Sequence, residues 1–130
     1  MHAGPDRFLF TFFSSTDYSR SRGMESLKRI YAPSNRRDSI VSNETMQAQA
    51  HAIHSWGIMK PSIILNDIKQ PTLVINGSDD EMLLTINAYK LFQGIRGSLL
   101  FLYPDSAHGA LFQYPEMFVE HCNYFLDKDL

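Results

Sequence analysis

The chain has 130 residues, 44% of them apolar and 20% charged, with 12 basic and 14 acidic side chains and a net charge of −2. That is ordinary globular composition on enough chain to bury roughly two thirds of the surface exposed when unfolded. No basic stripe is present to neutralise a phosphate backbone, which excludes nucleic acid as a partner, and the apolar run of residues 8–13 is too short to cross a membrane.

From Met1 to Asn43 no period dominates. The aromatic run of residues 8–13 is expected to pack in a core or interface, with a place lining a substrate site as the alternative. A Ser/Arg-rich stretch over residues 14–22 and a short helical candidate over residues 24–31 follow. Asn43 is expected to cap a helix over residues 44–56 that sets Met46, Ala50 and Ile53 on one side and stops at Gly57. On that helix His51 and His54 are three apart, but no converging carboxylate accompanies them, so they read as surface or core residues and no metal site is expected. His121 reads the same way, and Trp56 reads as a hydrophobic anchor at the helix end.

Residues 72–76, Thr-Leu-Val-Ile-Asn, are β-rich without polar alternation, the pattern of a buried parallel strand, and Gly77 turns the chain. Thr85 is expected to cap a helix over residues 86–93, punctuated by Gly94 and Gly97, and residues 98–103 supply a second strand. Strand, helix and strand in that order form a right-handed βαβ unit with parallel strands. Residues 114–128 form a last helix, with Pro115 at its start and Phe118, Cys122, Phe125 and Leu126 on one face. Cys122 is the only cysteine, so neither an internal disulfide nor a cysteine zinc cluster can form. Packing is its expected role, and a reducing, cytoplasmic setting is the simpler expectation.

In an open parallel sheet, functional groups gather just beyond the carboxyl ends of the strands. Two loops lie there. Residues 77–81, Gly-Ser-Asp-Asp-Glu, present carboxylates after the first strand, and residues 104–109, Pro-Asp-Ser-Ala-His-Gly, present His108 after the second. A carboxylate that accepts one ring proton of an imidazole fixes its tautomer, so that the other nitrogen can deprotonate a hydroxyl. Aspartate after a strand is also a common turn former, and Ser106, which shares the short histidine loop, reads as a turn residue rather than a nucleophile.

The run Ile-Asn-Gly-Ser-Asp-Asp-Glu-Met, followed by Tyr-Pro-Asp-Ser-Ala-His-Gly-Ala-Leu-Phe-Gln-Tyr-Pro, resembles the acid and histidine loops of the α/β-hydrolase superfamily, nearest to its esterase and cofactor-free haloperoxidase-like branch. Glu-Thr-Met-Gln-Ala-Gln from Glu44 and Ala-Ile-His-Ser-Trp-Gly from Ala52 resemble the helix leading out of that family's cap. The resemblance implies Asp80 as the acid, with Asp79 as its confusable neighbour, and His108 as the base.

It also implies a serine before Asp80 on a Gly-x-Ser-x-Gly elbow. No elbow occurs: Ser26 lies in Gly-Met-Glu-Ser-Leu, and Ser14 and Ser15 lie in Phe-Phe-Ser-Ser-Thr. A glycine-rich oxyanion loop is missing too, so the resemblance makes this the C-terminal part of such a fold, a poor hydrolase by itself. The expectation is an α/β fold with a helical cap remnant over residues 1–60 and a hydrolase core segment over residues 61–130, its small parallel sheet flanked by helices. By resemblance the function is ester or related acyl hydrolysis without cofactor or metal, the serine being absent or supplied in trans. Peroxide chemistry at the same triad is permitted by the resemblance, and a non-catalytic remnant acting as an interaction module is the alternative. The expected partners are a small ester-like substrate and, because a small sheet leaves an open edge, a second copy or a complementary N-terminal fragment.

Overall fold

A computed structural model of the chain describes residues 5–33, 41–58 and 64–128. In order these form α1 (Pro5–Phe12), α2 (Asp17–Ile30), α3 (Asn43–Ile58), a 3₁₀ turn (Leu65–Asp67), β1 (Leu73–Gly77), α4 (Thr85–Gly94), β2 (Leu99–Tyr103), α5 (Ala110–Gln113) and α6 (Pro115–Leu126). The class is α/β, mostly helical, around a two-stranded parallel sheet.

β1 and β2 pair in parallel from Leu73 opposite Leu99 to Gly77 opposite Tyr103. Continuous β-branched and aliphatic residues suit a strand covered on both faces, and α4 is the crossover that the parallel connection requires. The buried apolar residues are Phe13, Leu27, Val74, Ala88, Ile95, Tyr103, Ala107 and Ala110, drawn from the helices, both strands and the histidine loop. Among the described residues the far edge of β1 is unpaired, and an apolar groove lined by Leu73, Ile75, Phe118, Cys122, Phe125 and Leu126 runs beside it.

Three helix starts differ from expectation for local reasons. Thr85 does not cap α4. Its hydroxyl instead donates to the Gly77 carbonyl at 2.7 Å, tying the helix to the end of β1, while Leu84 at the cap position offers no side-chain acceptor. α3 is entered through Ser42, not Asn43: the Thr45 amide donates to Ser42 Oγ at 3.2 Å and the Met46 amide to the Ser42 carbonyl. The Ser/Arg-rich stretch is helical, because Thr16 accepts from the Ser19 amide at 3.1 Å and so caps α2. The buried positions of α2 are Ser19, Gly23, Ser26 and Leu27. That is a helical period carried by small residues, which an apolar count does not register.

By packing, the described residues up to Ala32 join those from Leu65 onward in one unit, and the residues between form a second. The second unit holds α3, none of whose residues is buried. Trp56, expected to anchor that helix, is 77% exposed. The aromatic run of the first unit is divided: Phe13 is buried, while Phe10 is 75% exposed. No helix among the described residues is long and apolar enough to cross a membrane.

Candidate active site

The two loops beyond the carboxyl ends of β1 and β2 continue the pairing of the strands that carry them. The Ser78 amide donates to the Tyr103 carbonyl at 2.8 Å and the Asp79 amide to the Ser106 carbonyl at 2.9 Å, so the loops are bonded side by side. Gly77 is what lets them meet, since a β-carbon there would overlap the carbonyl oxygens of Ser106 and Ala107.

The two neighbouring aspartates then part. Asp79 is exposed and takes the Ser78 hydroxyl at 2.6 Å. Asp80 turns inward and is 3% exposed. One oxygen, Oδ1, accepts from the backbone amides of Met82 and Leu83 at 2.9 Å each. The other, Oδ2, lies 3.0 Å from His108 Nδ1. Two amide donors and one ring nitrogen satisfy the buried carboxylate and fix its direction, as burial of a charged group requires.

His108 keeps a quarter of its side chain open to solvent, and among the described residues its ring hydrogen-bonds to Asp80 alone. With Nδ1 committed, Nε2 is left to take a proton from a hydroxyl. On one side of the ring stands Phe12, its ring centroid 5.3 Å away and tilted by 60°.

None of the serines weighed in the sequence hydrogen-bonds His108 among the described residues. Ser14 donates its hydroxyl to Asp105 Oδ1. Ser15 is exposed. Ser26 is buried and accepts from Arg29 Nη2 at 2.9 Å. Ser106 is fully buried, its hydroxyl without a partner among the described residues, and its carbonyl serves the acid loop. A cavity of about 340 Å³, lined in part by Thr16, Arg20, Asp79, Glu81, Asp105 and Ala107, adjoins both loops, although neither Asp80 nor His108 is in its wall.

His51 and His54 are exposed on α3, and among the described residues no three His, Cys, Asp or Glu side chains are grouped to hold a metal. His121 has a defined environment that sequence reasoning missed. It stacks on Phe101 with centroids 3.8 Å apart, and its Nδ1 lies 3.0 Å from the Tyr103 hydroxyl, whose acidity burial weakens, raising its pKa above the ordinary tyrosine value. The signal was available as an alternation, because Phe101 and Tyr103 point to the same face of β2.

No family model and no curated protein matches the chain. Among solved structures, an alpha/beta hydrolase fold protein from Chitinophaga pinensis is similar, at 44% sequence identity and a TM-score of 0.89, over 95% of this chain and 45% of that one. The chain thus spans less than half the length of that neighbour.

Proposed function

Because the chain belongs to the α/β-hydrolase fold superfamily and spans part of that fold, we propose that it supplies the acid and the base of a Ser-His-Asp acyl hydrolase. The observation that carries the reading is the buried Asp80 carboxylate 3.0 Å from Nδ1 of the partly exposed His108. Asp80 holds the Nδ1–H tautomer and stabilises the imidazolium that forms as His108 Nε2 takes the proton of an attacking serine; His108 then returns that proton to the leaving group. Polarisation comes from side chains and backbone amides, so the reading calls for no cofactor or metal.

The serine and the oxyanion donors come from polypeptide beyond these 130 residues, whether in one longer protein or in a second chain. The unpaired edge of β1 and the apolar groove beside it favour that edge as the joining surface, since a parallel strand added there would satisfy the free backbone groups and cover Leu73 and Ile75. The substrate class is a small ester.

The test is hydrolysis of p-nitrophenyl acetate by the assembly isolated through a tag on this chain, compared with His108→Ala and with material treated with a serine-directed fluorophosphonate. Each is expected to lose about a thousandfold or more, and the covalently labelled polypeptide identifies the source of the serine. Equal rates in wild type and His108→Ala would overturn the reading and leave the interaction module.

A further inference from the structure

A single hydrogen bond leaves an imidazole free to swing about the bonded nitrogen, yet a general base works only while its other nitrogen stays aimed at the hydroxyl. Asp80 provides one such bond. The acid loop also holds the histidine loop through the Tyr103 and Ser106 carbonyls, and further contacts come from the end of α1 and the segment that joins it to α2, far away in sequence.

The contacts flank His108 on both sides. On the carboxyl side, the Gly109 amide donates to the Phe12 carbonyl at 2.7 Å. The approach is so close that a β-carbon on Gly109 would stand 2.6 Å from the Phe12 carbonyl oxygen and 3.0 Å from Phe12 Cβ. On the amino side, Asp105 has a φ of 47°, a left-handed conformation in which aspartate is among the few non-glycine residues tolerated. Such a residue persists where its surroundings over-determine it. Here the Ser14 hydroxyl donates to one carboxylate oxygen, the Thr16 hydroxyl donates to the other at 2.6 Å, and Gln113 Nε2 donates to the Asp105 carbonyl at 2.7 Å. Gln113 is itself fully buried and held by the Ser19 hydroxyl at 2.7 Å.

Between these two anchors the Phe12 ring stands against the imidazole in an edge-type arrangement, and it is stacked in turn on Phe8 with centroids 4.7 Å apart. An edge-to-face ring pair has an orientation preference that an aliphatic side chain lacks.

We propose that the α1–α2 junction is the positioning element of His108, with the Phe12 ring setting the plane of the imidazole and the Ser14 hydroxyl, through Asp105, fixing the loop that carries it. The catalytic meaning of this role rests on the hydrolase reading above; the geometry does not. Phe12 and Ser14 are positioning residues, because they act through the groups they touch, Phe12 through the His108 ring and Ser14 through Asp105.

The experiment is exchange of the His108 Nδ1 proton with water, read by nitrogen-15 NMR of the full chain in the cold, with the resonance assigned by its loss in His108→Gln. In Phe12→Leu, which keeps the backbone carbonyl and the apolar bulk, exchange is expected to accelerate about fivefold while the backbone amide spectrum is retained; in Phe12→Tyr, which keeps the ring, it stays within about twofold of wild type. Unchanged exchange in Phe12→Leu overturns the proposal, as does a wild-type Nδ1 proton that exchanges too fast to observe. Should Phe12→Leu fail to fold, Ser14→Ala takes its place, with faster exchange supporting the proposal and unchanged exchange overturning it. Exchange needs no substrate. An orderly Nδ1 result beside unaltered hydrolysis in His108→Ala would therefore reject the catalytic reading alone, and the opposite pair of results would reject the positioning role alone.

Discussion

α2 and α3 are helices of similar length with opposite outcomes. α3 is the more apolar by composition, with Met46, Ile53, Trp56 and Ile58 among its residues, and it buries none of them. α2 is rich in serine and arginine, and it buries four of its residues. Three of its four buried positions are small, so backbones approach closely, and two of them are serines whose hydroxyls are engaged: Ser19 with Gln113 and Ser26 with Arg29. In the first unit a helix enters the core through close approach and satisfied polar groups, while in the second the apolar side chains of α3 stand exposed among the described residues.

The largest expected effect tests the core end of that comparison. Phe13 follows α1, is 1% exposed and packs on Phe8 with centroids 5.8 Å apart. Phe13→Ala removes a fully buried ring and leaves a void in its place. A loss of about 3–5 kcal/mol is expected in urea unfolding followed by circular dichroism. A loss under about 1 kcal/mol would mean that α1 and its aromatic run are not part of the core, and the contrast with α3 would shrink to a difference in exposure.

The fold and site differ in how far they could be read from sequence, and particular residues show why. Both strands were legible because uninterrupted apolar residues bounded by Gly77 and Pro104 have few other uses. Asp80 and His108 were legible as candidates because loops at strand ends converge. The residues alone do not choose between Asp79 and Asp80, since both occupy one turn; the resemblance names Asp80, which is the one buried against the Met82 and Leu83 amides and His108. α2 was only partly legible, its period being written in Ser19, Gly23 and Ser26. The Phe12–His108 contact was not legible at all, because no local rule links residues brought together by the packing of an early helix on a late loop.

A smaller effect sharpens the polar half of the comparison. Ser19 is fully buried; its hydroxyl donates to Gln113 Oε1 at 2.7 Å and accepts from the Ser14 amide at 2.8 Å. Ser19→Ala is nearly isosteric, so it creates little void and leaves one acceptor and one donor without partners. About 1–3 kcal/mol should be lost in the same unfolding experiment. The companion Gln113→Leu should cost less when added to Ser19→Ala than by itself, because the two hydrogen-bond each other and their effects are not additive. Strict additivity would show that small size alone, without the hydrogen bond, brings α2 into the core.

The smallest expected effect is at Trp56, and it bears most directly on why an apolar helix stays uncovered. Trp56 is the only tryptophan and is 77% exposed near the end of α3. A large aromatic side chain with that exposure contributes little burial to folding, so Trp56→Ala should change stability by no more than about 0.5 kcal/mol. The same residue reports its own environment. Its fluorescence in the folded chain should be quenched by iodide nearly as well as in the urea-unfolded chain, since a charged quencher reaches only indoles open to water. A shielded Trp56, or a cost of about 3 kcal/mol for its removal, would mean that α3 has a partner surface after all. In that case apolar content would suffice to place a helix, and the small, hydrogen-bonded face of α2 would be an alternative route to burial rather than the requirement it is taken to be here.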